Sequence, residues 1–198
     1  MPLVESIGAP LLTVAATLGG GWLVSTRVTD RWEQIRRSRE MDLAAAADFQ
    51  RLYGEFVAVW KTWDALTDGH TPVATTEHVG WGCLERATAA EGQIEALMAK
   101  LAAERFLTED DIAMLGGVRQ AFKVVRRSIR RGRPLGWGSS STAPYLAIKT
   151  LSAATSVLLS TPPRTRRRPS AAVAARNFKG ITDNRHETTW IDTAQRYL

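Results

Sequence analysis

Residues 28–63 read VTDRWEQIRRSREMDLAAAADFQRLYGEFVAVWKTW, and this stretch decides the fold class. From Val28 through Trp32, Ile35, Arg39, Asp42, Ala46, Phe49, Tyr53, Phe56 and Trp60 to Trp63, positions step by alternating four and three residues. Nine of these eleven are apolar or aromatic, so they line up along one side of an α-helix as a heptad-like stripe. The stripe breaks at Arg39 and Asp42, within the most charged part, where Glu33 can pair with Arg37 and Arg36 with Glu40 at i,i+4. Residues 27–42 therefore read as a solvated stalk. The section beyond is expected to bury its aromatic side against other helices and to end near Gly69, with Pro72 following. Trp32, Phe49, Tyr53, Phe56, Trp60 and Trp63 are the residues expected to carry self-association, in the manner of a coiled coil.

Working outward toward the amino end, the 21 residues from Ser6 to Thr26 contain no charge. About 20 helical residues cross a hydrocarbon core, so the length predicts a single membrane span. Leu11, Leu12, Val14, Leu18, Trp22, Leu23 and Val24 are its anchoring residues, diluted by Pro10 and by Gly19-Gly20-Gly21. Arg27, Arg31, Arg36, Arg37 and Arg39 follow, and this excess of arginine orients everything after the span into the cytoplasm. A cleaved signal peptide and a helix buried in protein are the alternatives. The first fits less well, because its basic residues should precede the apolar run.

Toward the carboxyl end, a polar loop over roughly 67–80 leads to a second helix with an apolar side at Leu84, Ala87, Ile94, Leu97, Met98 and Leu101. Thr108-Glu109-Asp110-Asp111 predicts a helix start, a hydroxyl cap followed by acids at the positive end of the dipole, and this third helix runs to about Arg131. Pro144 suits the first turn of a fourth helix over 145–159, too short for a second span and read as a central core helix. Arg164-Thr165-Arg166-Arg167-Arg168-Pro169 is a basic linker, followed by two shorter helices over 170–178 and 187–197, broken at Gly180. No period-two alternation and no repeat is visible. The expectation is an all-α protein: an outer end at 1–5, a transmembrane helix at 6–26 and a juxtamembrane helix at 27–66. An irregular bundle of four to six helices follows, with its core at 80–160 and the linker and last helices at 161–198.

Charge is distributed unevenly. Residues 1–111 hold 10 basic and 17 acidic side chains, whereas 112–182 hold 14 basic and no acidic ones. On the third helix, Arg119, Lys123, Arg126, Arg127, Arg130 and Arg131 share one arc beside an apolar arc. Two readings stand open: arginines meeting acids of the first half, or an anionic partner, lipid headgroups before nucleic acid. The indole of Trp137 offers one stacking surface, and one is not a platform.

Composition excludes a disulfide scaffold, since Cys83 is alone, and full-length disorder, at 44% hydrophobic content. His70, Glu77, His78 and Cys83 cluster without the spacing of a zinc site. Asn184-Arg185-His186-Glu187 is the densest polar cluster, read as docking and capping ahead of acid–base chemistry. Gly116-Gly117 lacks the following Lys-Ser/Thr of a phosphate loop, and no cofactor is expected. The functional expectation is a non-enzymatic adaptor or regulatory module at the cytoplasmic membrane face. Its expected partners are membrane lipids, further copies of itself and an unidentified protein. An oligomerising, membrane-damaging effector is the alternative, with a tethered enzyme or a nucleic-acid binder behind it. High Ala and Arg content points to a bacterial source.

Overall fold

The computed structural model describes residues 5–67, 73–137, 142–162 and 168–198; the side chains of 5–28, 30, 31, 34, 37, 38 and 73–77 lie outside the description. Six helices follow one another: α1 (Glu5–Thr67), α2 (Val73–Glu104), α3 (Glu109–Arg130), α4 (Ala143–Ser160), α5 (Ala171–Ile181) and α6 (His186–Gln195). Among the described residues there is no strand, so the chain is all-α and its folded part is a helical bundle.

Two compact units divide the chain, residues 1–41 and 42–198, and α1 contributes to both. In the first, the expected Arg36–Glu40 pair forms, Nε to Oε1 at 3.0 Å, while Trp32 is 69% exposed. Both partners of that pair are exposed, so it adds a few tenths of a kcal/mol at most (~0.3–0.5). Among the described residues no helix is long and apolar enough to cross a membrane. The side chains of residues 6–26, where the span was expected, are outside the described ones.

The second unit is built around the aromatic half of α1. Phe49, Phe56, Val59, Trp60 and Trp63 are buried, with Tyr53 half-buried beside them. From Ala46 to Trp63 the stripe read from the sequence is thus buried within its own chain, which accounts for the periodicity of that part without a coiled coil. Phe56 packs on Phe122 of α3 with ring centroids 4.6 Å apart. Trp137, from the α3–α4 connection, lies 5.7 Å from Trp60 and 5.9 Å from Trp190 of α6. Trp60 also meets Tyr145 of α4 at 5.3 Å. The connection is pinned from outside as well, because Trp63 Nε1 donates to Arg133 O at 2.8 Å and Leu135 N donates to Asp64 Oδ1 at 3.3 Å.

Helix α3 runs through the middle of the bundle. Its start is the capping box expected at Thr108: the hydroxyl accepts from Asp111 N at 3.1 Å, and Asp111 Oδ2 accepts from Thr108 N at 2.9 Å. Ten of its residues are buried, Gly116 and Gly117 among them, and it packs against α2, α4, α5 and α6. Two boundaries differ from the sequence reading. Helix α2 begins at Val73, inside the expected polar loop, since Val79 joins the core and repays the poor helix propensity of this stretch. Helix α5 continues through Gly180 to Ile181. There the missing side chain lets α5 approach α3: a Cβ on Gly180 would lie 3.0 Å from Ile112 Cγ2.

Candidate functional site

The basic side of α3 is largely engaged within the bundle. Arg119 Nε bonds Glu95 Oε1 at 2.6 Å, and Arg126 forks onto the buried Glu91. Arg127 pairs with Glu187 at the start of α6, and Lys123 Nζ reaches Asn184 Oδ1 at 3.3 Å. Each pairing is ordinary electrostatics: the guanidinium of Arg127 holds the Glu187 carboxyl below the usual carboxylate range, and Arg127 itself is raised in return. Arg130 and Arg131 are exposed. Of the six residues expected to face an anionic surface, four are therefore tied to acids or an amide of the same chain. The acids Glu91 and Glu95 of α2 and their partners Arg126 and Arg119 of α3 meet in antiparallel order; the excess of acids before residue 112 and of arginines after it was the signal available in the sequence.

The other expected site residues are mostly interior. Phe49, Phe56, Trp60 and Trp63 pack within their own chain, and among the six proposed for self-association only Trp32 is widely exposed. Trp137, weighed as a stacking surface for a base, is buried in the aromatic cluster. In the polar cluster, Asn184 and Arg185 are exposed and Glu187 faces Arg127, whereas His186 is buried. His186 Nε2 donates to Gly180 O at 2.8 Å, which ties α6 to α5. Its ring also lies flat against Gly116 of α3. A Cβ there would stand 2.7 Å from Cε1 and closer still to Cδ2 and Nε2. The expected docking role is what this geometry can perform.

The feature that periodicity did not reveal is a groove beside α4. A cavity of about 1080 Å³ opens between the outward side of α4, the Arg105–Thr108 connection leading into α3, and Tyr197-Leu198 after α6. Phe106, Leu146, Val157, Tyr197 and Leu198 all line it, and each is an exposed large apolar or aromatic side chain. Val157 is 64% exposed and Leu198 87%. Exposed apolar side chains that converge on one recess make this the candidate docking surface of the bundle. The signal was present as Leu146, Thr150, Ala153 and Val157, stepping by four, three and four along α4. It was masked because α4 is nearly uncharged all round, so both of its sides read as core.

Arg105 forms the firm end of this groove. Buried to 6% exposure, it directs Nη1 to Leu158 O and, at 3.0 Å, to Thr161 O. Its Nη2 reaches Asp42 Oδ1 at 2.6 Å and Leu159 O at 3.1 Å. The last carbonyls of α4, which no intrahelical donor reaches, are thereby satisfied. At the other end, Tyr197 Oη donates to Asp110 O and Arg196 pairs with Asp110, both at 3.2 Å. Burial pushes the Tyr197 phenol up, and the carboxylates of Asp110 and Asp111 add to it. Besides Arg105 and the Tyr197 phenol, two charged side chains line the cavity: Lys149, exposed on α4, and Asp111, whose Oδ2 already serves Thr108.

Among the described residues no group of three or more His, Cys, Asp or Glu side chains is arranged to hold a metal ion. Of the zinc-capable cluster, His70 and the Glu77 side chain lie outside the description, His78 is exposed, and Cys83 is buried. Burial also pushes the Cys83 thiol up, away from the reactive thiolate. Comparison with protein-family models, with curated proteins and with solved structures finds no match for this chain.

Proposed function

We propose that this chain is a non-enzymatic interaction module that takes an apolar helical segment of a partner into the groove beside α4, while residues 6–26 hold it at a membrane with the bundle on the cytoplasmic side. The observation that carries the reading is the convergence of Phe106, Leu146, Val157, Tyr197 and Leu198 on one cavity. Apolar side chains recurring at helical spacing along a groove suit the insertion of an amphipathic helix. Tethering is supported by the 21 uncharged residues before Arg27 and the arginines after them. A membrane-damaging effector draws less support, because three of the arginines that would touch headgroups, Arg119, Arg126 and Arg127, are engaged with Glu95, Glu91 and Glu187.

Two measurements test the proposal separately. A photo-crosslinking side chain at Leu146 should trap a partner in cells, and the same group at the exposed Trp81 on α2 should not. Equal labelling from both positions removes the groove from the account. For the tether, the full chain should stay with membranes through carbonate and high-salt washes. Release by salt alone removes the anchor and leaves the groove untouched.

A further inference from the structure

We infer that the partner taken up by this groove is a second copy of the same chain, with α4 crossing α4 in an antiparallel two-fold pair centred near Ala153. The inference rests on reading the groove as a partner-binding site and specifies what fills it. A two-fold interface uses one surface twice, so that surface must carry both the protruding side chains and the recess that receives them. Here they lie side by side. Leu146 and Val157 protrude from α4, and the recess between α4 and the Arg105–Thr108 connection runs along the same helix. Thr150 and Ala153, the smaller residues between them, allow two helix axes to approach to the 8–10 Å of packed helices.

Charge selects this side over the rest of the molecule. The chain carries a formal net charge of +6, with 14 basic and no acidic side chains over 112–182, of which Arg119, Arg126 and Arg127 are paired with acids of the same chain while Arg130 and Arg131 are exposed. Helix α4 is the interruption in that field, with Lys149 its single charge in 18 residues. An antiparallel crossing at Ala153 places the two Lys149 positions four residues to either side. At 1.5 Å per residue they stand roughly 12 Å apart, beyond a Debye length of about 8 Å. With Arg105 already paired to Asp42, Lys149 on one wall and Asp111 on the other also make the groove complementary to itself, since each copy brings a cation and a carboxylate to the same surface.

The test uses the full chain in mild detergent, with its mass measured by sedimentation or light scattering corrected for bound detergent. A dimer is expected. Val157→Glu should weaken self-association at least tenfold while the circular dichroism spectrum stays unchanged, and at dilutions where both chains are monomeric the unfolding midpoint should stay unchanged too, because Val157 is exposed on the single copy. Ala153→Cys in a Cys83→Ser background should crosslink copy to copy through a short bis-maleimide, and Thr88→Cys on α2 should not. A monomer at the highest soluble concentration overturns the inference, as does a dimer indifferent to Val157→Glu. Should the chain be monomeric while the Leu146 photo-crosslinker traps a different protein, the second copy is ruled out and the groove stands. A monomer that traps nothing from Leu146 removes both.

Discussion

The molecule carries two apolar stripes of nearly the same spacing, and they meet opposite fates. On α1, Phe49, Phe56, Trp60 and Trp63 are buried, and Phe56, Trp60 and Trp63 meet α3, α4 and the α3–α4 connection. On α4, Leu146, Thr150, Ala153 and Val157 repeat the rhythm along the side turned away from the core, and Leu146 and Val157 stay open. Periodicity reports that one side of a helix is apolar. It does not report whether the same chain supplies the cover. That is decided by neighbours far away in sequence, here Phe122, Trp137 and Tyr145.

The contrast is broken most directly by trimming one residue from each stripe. Phe56→Ala should cost about 3–5 kcal/mol in a urea titration of the full chain, from lost transfer energy plus a cavity among rings. Val157→Ala should stay within about 0.5 kcal/mol, as exposed substitutions do. Similar losses at both would mean that the two stripes are equally buried. Next in size, Arg105→Ala should cost about 3 kcal/mol or more, because Asp42 and the α4 carbonyls lose their partner in a buried setting. Unlike Val157→Glu, it should lower stability and disturb the groove together. Gly116→Ala tests the docking of α6, with an expected loss of about 1–3 kcal/mol as the His186 ring is displaced. Removing the cap by Thr108→Ala should cost about 1 kcal/mol.

The smallest effect is acidic. Glu55 is hydrogen-bonded by Arg86, and Glu187 by Arg127, which holds each carboxyl below its ordinary value in the folded chain. The unfolded state then binds more protons near pH 4, so this contribution is complete above the ordinary carboxylate range and fades as pH falls through the lowered values. The difference in unfolding midpoint between the natural chain and Glu55→Gln should accordingly shrink between pH 6 and pH 3. A difference that grows over that interval would contradict the pairing.

How far the sequence could be read follows from how local each determinant is. The start of α3 was legible because Thr108 and Asp111 sit three residues apart and satisfy each other. Pro144 marked the first turn of α4 for the same reason. The start of α2 was not, since residues 73–80 have weak helical preference, and the described contact that supports the stretch, Val79 on the core, is not local. The charge of α3 was visible, but its use was not. Glu91 and Glu95 lie tens of residues from Arg126 and Arg119, and only the hairpin of α2 and α3 brings them together. The groove was hidden for a related reason: its walls come from three separated segments, and none of them looks unusual alone.

The guanidinium at position 105 has a dynamic consequence. Helix ends ordinarily fray, yet the four hydrogens on the two terminal nitrogens of Arg105 have four acceptors, three of them carbonyls at the close of α4. Amide protons in that final turn should therefore exchange with deuterated solvent as slowly as those at the helix middle. A lysine in the same place, with three donors and no planar fork, would let the turn open and speed their exchange.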